Sequence, residues 1–184
     1  MEAIVVTEKN WGIGKDGDLL ASLPGDLQYF KEHTLEKTIL MGRKTLESLP
    51  GGKPLPGRDT IVFSTSESFA EFVREKAACG EEKEKKRWGR CTVEPSMEKY
   101  LSAEGIALDS EVLAAGGESV YRACLPYCSR VYVTRMECAL EADRFFPNLD
   151  EDPEWEIEEE SSRQEENGVG YRWVTYVRRK EKES

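Results

Sequence analysis

Thr38–Ile39–Leu40–Met41–Gly42 runs without a break into Arg43–Lys44–Thr45–Leu46–Glu47–Ser48. The first five residues are apolar on both parities and begin with β-branched side chains, the mark of a strand buried on both faces. The next six suit a short helix. A doubly buried strand that feeds straight into a helix belongs to an α/β sheet. At the junction, Gly42, two cations and the Thr45 hydroxyl meet the unpaired N–H groups of a helix start. Two readings are open there: a phosphate site, or an ordinary solvated helix start.

The same pattern recurs on either side. Ala3–Thr7, Thr60–Ser64, Glu111–Ala115 and Arg130–Met136 read as strands. Helices are expected from about Gly25 to His33, with Leu27, Phe30 and Leu23 as the inner stripe, and from Ser68 to about Ala78. A short strand at Cys91–Val93 precedes Ser96, a cap for a helix at Met97–Leu101. Gly116-Gly117 opens another helix that runs through Cys124, a second glycine junction suited to a pyrophosphate. Ser64, Thr65 and Ser66 stand at the carboxyl end of their strand, where open α/β sheets hold ligands, so their hydroxyls are candidate phosphate partners. Ala142–Pro147 reads as an irregular connector. Trp155–Ser161 and Val169–Arg178 read as two final strands joined by a turn containing Asn167-Gly168, a strong hairpin cue. The expected architecture is α/β: a mainly parallel central sheet with helices on both faces, closed by an antiparallel C-terminal hairpin. Its 184 residues make one domain the simplest organisation, with a charged excursion at about 80–90.

Between the first strand and the first helix lies Trp11–Phe30. Gly12, Gly14 and Gly17 give that loop conformational freedom, Leu19, Leu20, Ala21 and Leu23 give it an apolar wall, and Asp26 follows Pro24-Gly25. This describes either a lid over a pocket with one proton-handling group, or a surface loop and an Asp that complements the helix dipole. Composition narrows the choice of partners. A net charge of −10 argues against a nucleic-acid footprint, so any anionic ligand must be met by local cations. No apolar run reaches the length of a membrane span, and Met1–Thr7 has no basic n-region or cleavage site. Five scattered cysteines and a single histidine, His33, make a zinc site unexpected and fit reduced thiols in the cytoplasm.

Several segments together resemble the dihydrofolate reductase family: Gly12–Leu19, Leu23–Asp26, Phe30, Met41–Thr45, Leu55–Arg58, Gly116-Gly117 with Val120-Tyr121, Tyr132–Thr134, and Asp143 with Phe146-Pro147. Each is weak alone, but together, in the family's order and spacing, they form a specific signal. The resemblance implies NADPH-dependent reduction of 7,8-dihydrofolate to tetrahydrofolate, which serves one-carbon metabolism and thymidylate synthesis. It also implies antifolates as inhibitors, a cytoplasmic monomer, and no nucleic-acid or membrane partner. By this likeness Asp26 is the ionisable group of the pterin pocket, braced by Thr134, and Leu19 lies on the loop that closes over the nicotinamide. Ile4, Val5, Leu27, Phe30 and Leu49 would pack on the substrate, Arg58 would pair with its glutamate tail, and Lys31 would add weaker attraction. The implied cofactor contacts are Val6, Ile13, Gly14, Gly17, Asp18, Leu19, Gly42, Arg43, Lys44, Thr45, Ser64, Thr65, Ala115, Gly116, Gly117, Glu118, Ser119, Val120 and Tyr121, with a cis Gly116-Gly117 peptide.

The chain departs from the family's pattern in three places. Leu20-Ala21 stand where Pro-Trp is usual, the segment from Ser66 to Arg90 is longer than the compact bacterial pattern, and Glu118-Ser119 stand where a basic residue often grips the 2′-phosphate. Two rival functions are a pterin or dinucleotide binder without catalysis, motivated by Ala21, and a pyrimidine reductase of riboflavin synthesis, which shares the fold. Asp26 and Arg58 fit a pterin with a glutamate tail and argue against both.

Overall fold

The segments read as doubly buried lie side by side in one sheet. The computed structural model describes residues 1–79, 90–102 and 105–179, so the charged excursion, Arg90 apart, lies outside the described residues. The main-sheet strands are β1 (Glu2–Thr7), β4 (Thr38–Gly42), β5 (Asp59–Phe63), β6 (Cys91–Glu94), β7 (Val112–Ala114), β8 (Arg130–Met136), β10 (Trp155–Glu160), β11 (Gln164–Glu166) and β12 (Val169–Arg178). Their order is β10-β12-β8-β1-β7-β4-β5-β6, with β11 also on β12. The run from β8 to β6 is parallel throughout, while β12 pairs antiparallel with β8, β10 and β11.

Helices cover both faces, as the binary pattern requires. α1 (Pro24–Thr34), α2 (Arg43–Ser48) and α3 (Glu67–Cys79) lie on one side, and α4 (Met97–Leu101) and α5 (Glu118–Cys124) on the other. The pleat sorts the core accordingly. Val5, Leu40, Ala114, Val131 and Val133 pack with Leu101, Val120 and Cys124. Ile4, Ile39, Met41 and Leu113 pack with Leu46, Tyr29, Phe30 and Phe69. Ser96 caps α4 as expected, its hydroxyl accepting from the Lys99 N–H at 3.2 Å. Among the described residues, no helix is long and apolar enough to cross a membrane.

Three local expectations are corrected. The glycine stretch is a hairpin, β2 (Gly12–Lys15) and β3 (Asp18–Leu19), turned at Asp16 and Gly17 with φ of 53° and 93°. Asp-Gly with positive φ at both central residues is the favoured two-residue turn. The supposed connector at Ala142–Pro147 contains β9 (Arg144–Phe145), which pairs with β2 to complete a second, three-stranded sheet. The C-terminal hairpin has three strands. The Asn167-Gly168 turn joins β11 to β12, while β10 pairs farther along β12 past an irregularity between Ile157 and Glu159.

A buried carboxylate holds the small sheet against the large one. Glu8 is 1% exposed and accepts from the N–H groups of Asn10 (2.7 Å), Gly12 (2.8 Å) and Leu140 (3.3 Å). A Cβ at Gly12 would stand 2.5 Å from Ala142 Cβ and 3.0 Å from Glu8, so only glycine permits this approach. Glu8→Ala would leave three backbone donors without their acceptor. Urea denaturation should register a loss of roughly 2–4 kcal/mol, and a loss within error of zero would mean that water replaces the carboxylate.

Candidate functional site

α1 crosses the face made by β1, β8 and β12. Strand register places Val6 beside Thr134 and Thr134 opposite Trp173, so these three form one row across the sheet. Ile4, Tyr132 and Thr175 form the next row on the same face. The helix meets these rows residue by residue. The Thr134 hydroxyl donates to Asp26 Oδ1, Tyr29 stacks on Trp173 (centroids 4.8 Å, 11°), and His33 packs against Tyr132 (4.4 Å). The inner stripe of α1 is therefore Asp26, Tyr29, Phe30 and His33, and the expectation for Leu27 is corrected. Leu27 is 57% exposed, whereas Leu23, just before the helix, is buried.

Asp26 is 8% exposed, and burial pushes its carboxyl above the ordinary value of 3.8. The Thr134 hydroxyl and the nearby Trp173 indole oppose that rise, while the Glu166 charge adds to it. Glu166 belongs to β11 and accepts from the Gly25 N–H with both oxygens, at 3.0 and 2.9 Å. The C-terminal hairpin thus pins the start of α1 beside the acid. Burial likewise raises Tyr29, to about 12.

Arg58 lies at the other end of α1 and is buried. Its Nε donates to Thr34 Oγ1 (2.7 Å) and its Nη1 to the Pro56 carbonyl (3.0 Å), with the guanidinium 5.8 Å from the Phe30 ring centre. Nη2 makes no hydrogen bond among the described residues. Burial lowers the pKa of this arginine from its usual value. Ile4 and Leu49 share the Phe30 cluster, whereas the pleat sends the Val5 side chain to the core on the opposite face. Lys31 is exposed.

A second cleft, of about 440 Å³, opens at the carboxyl ends of β4 and β5. Gly42, Arg43, Ser64, Thr65, Ser119 and Val120 line it, all of them expected cofactor contacts. Phe63, Ser66, Pro95 and Met97 complete the wall. Sequence reasoning named the Ser66 hydroxyl with those of Ser64 and Thr65 as a candidate phosphate partner, and missed Phe63, Pro95 and Met97. The two glycine junctions meet here: the Gly42 N–H donates to the Gly116 carbonyl at 2.8 Å, and Gly116-Gly117 is a cis peptide. Thr45 stands beside Gly117, its hydroxyl 3.4 Å from where a Cβ would lie. Ala115 donates to the Leu40 carbonyl, and buried Tyr121 gives its hydroxyl to the Ile4 carbonyl at 2.7 Å, tying β1 to α5.

The other expected contacts are more dispersed. Lys44 is exposed, Arg43 lies over the Phe69 ring at 5.9 Å, and the Glu118 carboxylate pairs with Arg122 at 3.1 Å. Gly14, Gly17, Asp18 and Leu19 belong to the β2–β3 hairpin, with Leu19 72% exposed. Val6, like Leu20, Ala21 and Trp173, packs on the cluster of Leu23, Met136 and Tyr171, and Ile13 packs against the larger core. The roles of Trp173, Tyr29 and Glu166 beside Asp26 went unread. The only signal for them was the helical spacing of Asp26, Tyr29 and His33 together with the hairpin register.

Fold and clefts together define an α/β protein of the kind that holds ligands beyond the carboxyl ends of its strands, here with one buried acid close by. The family model described as dihydrofolate reductase matches residues 1–178. The dihydrofolate reductase of Bacillus subtilis is 35% identical over 178 residues, covering 96% of this chain and 93% of that protein. That of Haemophilus influenzae is 34% identical over 179 residues, covering 96% and 97%. A solved dihydrofolate reductase from Enterococcus faecalis, complexed with NADP(H) and RAB-propyl, superposes with a TM-score of 0.72 at 28% identity, covering 97% and 96%. The chain belongs to the dihydrofolate reductase family and is an oxidoreductase.

Asp26 also makes a stability prediction. With its folded pKa raised above 3.8, the native state holds this proton to higher pH than the unfolded chain does. Stability is therefore lost as pH rises from about 3.8 through the folded value, and the whole cost is present above it. Asp26→Asn should melt higher than the parent at pH 7, with the gain shrinking as pH falls toward 4. A gain that grows on acidification would contradict the desolvated carboxyl.

Proposed function

We propose that the reaction of this chain, NADPH-dependent reduction of 7,8-dihydrofolate to tetrahydrofolate, takes place where the α1 pocket adjoins the glycine-junction cleft. The observation that carries this reading is Asp26: a buried carboxyl, held by Thr134, on a helix face otherwise aromatic and apolar. The residues present fit the cofactor. Arg43, Lys44 and Thr45 at the start of α2, with Ser64 and Thr65 after β5, offer the cations and hydroxyls that nucleotide phosphates require on a chain of net charge −10. Gly42, Ala115, Gly116, Gly117, Ser119, Val120 and Tyr121 would form the nicotinamide side. NADPH, when bound, supplies the hydride.

The chain's own residues orient and shield. Ile4, Leu27, Phe30 and Leu49 provide apolar surface for the pterin and its aryl ring, and Val6 and Ile13 border the nicotinamide. Leu27 and Leu19 are exposed where a bound ligand would cover them. The β2–β3 hairpin, with Gly14, Gly17, Asp18 and Leu19, would exclude bulk water from the reacting rings. Asp26 binds the pterin edge and electrostatically favours the protonated substrate, with water carrying the proton to N5. Arg58 directs its Nη2, and Lys31 its ammonium, to the glutamate tail. Antifolates of matching shape would compete for this pocket. We read the chain as one domain, monomeric and cytoplasmic.

The assay is loss of reduced-nicotinamide absorbance on mixing protein, NADPH and dihydrofolate. Asp26→Asn should lower hydride transfer by about 10²-fold or more while sparing NADPH binding, and should recover rate as pH falls. Near-parent turnover with an unchanged pH profile would return Asp26 to a helix-dipole role.

Arg58→Leu should weaken dihydrofolate binding by roughly 2–5 kcal/mol, because it strands a carboxylate in a partly buried site. NADPH affinity should hold. Equal losses for both ligands would make Arg58 structural, through Thr34 and Pro56.

A further inference from the structure

Pro24 and Gly25 open α1, and Leu23 before them has no side-chain oxygen to cap the helix. Pro24 has no N–H, so the Gly25 N–H is the first donor that the helix leaves without a partner of its own. Asp26, one residue on, is engaged by Thr134 instead. The acceptor comes from 141 residues away: both carboxylate oxygens of Glu166, on β11, take the Gly25 N–H, at 3.0 and 2.9 Å. The next residue holds the chain again, Asn167 Nδ2 donating to the Ser22 carbonyl at 3.4 Å. The turn between β11 and β12 thus grips, at two points, the segment that joins the glycine hairpin to α1. The fit is close. A Cβ at Gly25 would stand 2.6 Å from Glu166 Oε1 and 2.7 Å from the hydroxyl of buried Tyr171. Gly25 has no positive φ, so its glycine is explained by what must approach it.

We infer that Glu166 is a positioning residue for Asp26: from across the fold it supplies the cap that α1 lacks, and so fixes where the helix presents its acid. A carboxylate at this end also meets the positive pole of the helix, a place Asp26 would otherwise fill. Asp26 is left to Thr134 and to the ligand. The role rests on the reading of Asp26 as the acid of the pocket. The other titratable groups facing Asp26 among the described residues are Tyr29 from α1, Tyr121 from α5 and Tyr171 from β12, and Tyr171 faces Glu166 as well. Glu166 is the one carboxylate among them, and its charge adds to the rise that burial gives the Asp26 carboxyl. Removing that charge lowers the pH at which Asp26 releases its proton, whereas removing the hydrogen bond loosens the start of the helix. Substitution separates the two effects.

The test compares Glu166→Ala, Glu166→Gln and Gly25→Ala with the parent enzyme. Glu166→Ala loses both cap and charge, so kcat/KM for dihydrofolate should fall by roughly 10-fold to 10²-fold as the acid shifts, with NADPH affinity unchanged. Glu166→Gln keeps an acceptor for the Gly25 N–H and should recover most of that rate. In both Glu166 variants the midpoint of the Asp26 carboxyl titration, read by carbon-13 NMR in the ligand-free protein, should move down. Gly25→Ala keeps every functional side chain and improves helix propensity, yet its Cβ displaces Glu166, so its rate should match that of Glu166→Ala. A purely structural cap would lower the melting temperature and move neither rate nor titration. Glu166→Gln keeps the cap, so the titration stands even where Glu166→Ala folds poorly. Parent kcat/KM in Glu166→Ala, an equal loss of NADPH affinity, or an Asp26 titration unmoved in Glu166→Gln would overturn the inference. Parent turnover in Asp26→Asn would instead remove the reading of Asp26 itself.

Discussion

One hydrogen bond ties the first helix to the sheet at the point where chemistry is possible: Thr134 of β8 to Asp26 of α1. Everything around it serves to keep a carboxyl out of water without neutralising it completely. The β1–β8–β12 register brings Val6, Thr134 and Trp173 into line beneath the helix. Glu166, from the hairpin after β10, holds the helix start through Gly25. Burial raises the acid's pKa and the Thr134 hydroxyl restrains it, so the group stays responsive to its ligand. That arrangement costs stability at neutral pH, as functional sites commonly do.

The second cleft depends on backbone rather than on charge. Gly42 and Gly116 lie at the ends of neighbouring parallel strands, joined by an N–H to carbonyl bond of 2.8 Å. Gly116 takes a φ of 114°, a conformation that side-chain-bearing residues rarely adopt, whereas a Cβ at Gly42 would meet only Val120 at 3.7 Å. Tyr121 then connects this cleft to the acid's side of the molecule through the Ile4 carbonyl. The two sites are thus separate in sequence and joined across β1.

Much of this was legible in the sequence. Ile39–Met41 and Val131–Val133 are apolar on both parities because helices cover both faces, and a hydrophobicity reading detects that directly. The glycine junctions and the Ser96 cap were legible for the same local reason. What failed were features whose signal is polar or non-local. The buried face of α1 carries Asp26, Tyr29 and His33, so a search for an apolar stripe selected Leu27, which faces out. β9 is two residues long and owes its existence to pairing with the hairpin at Gly12–Lys15. Glu8 and Trp173 have no motif at all. Glu8 is explained by donors 132 residues away as well as nearby, and Trp173 by register with a strand that precedes it. The Asp16-Gly17 turn was visible as a hairpin cue but was read as loop, because its flanks are too short to alternate.

The central claim is that Asp26 is a desolvated carboxyl whose charge is sustained by the Thr134 hydroxyl. The most direct test is a carbon-13 NMR titration of the Asp26 carboxyl in the ligand-free protein, repeated in Thr134→Val. The account predicts a midpoint above 3.8 in the parent and a higher one in the variant, because the variant keeps the burial and loses a donor. A parent midpoint at or below 3.8, or one unmoved by the loss of the Thr134 hydroxyl, would contradict it.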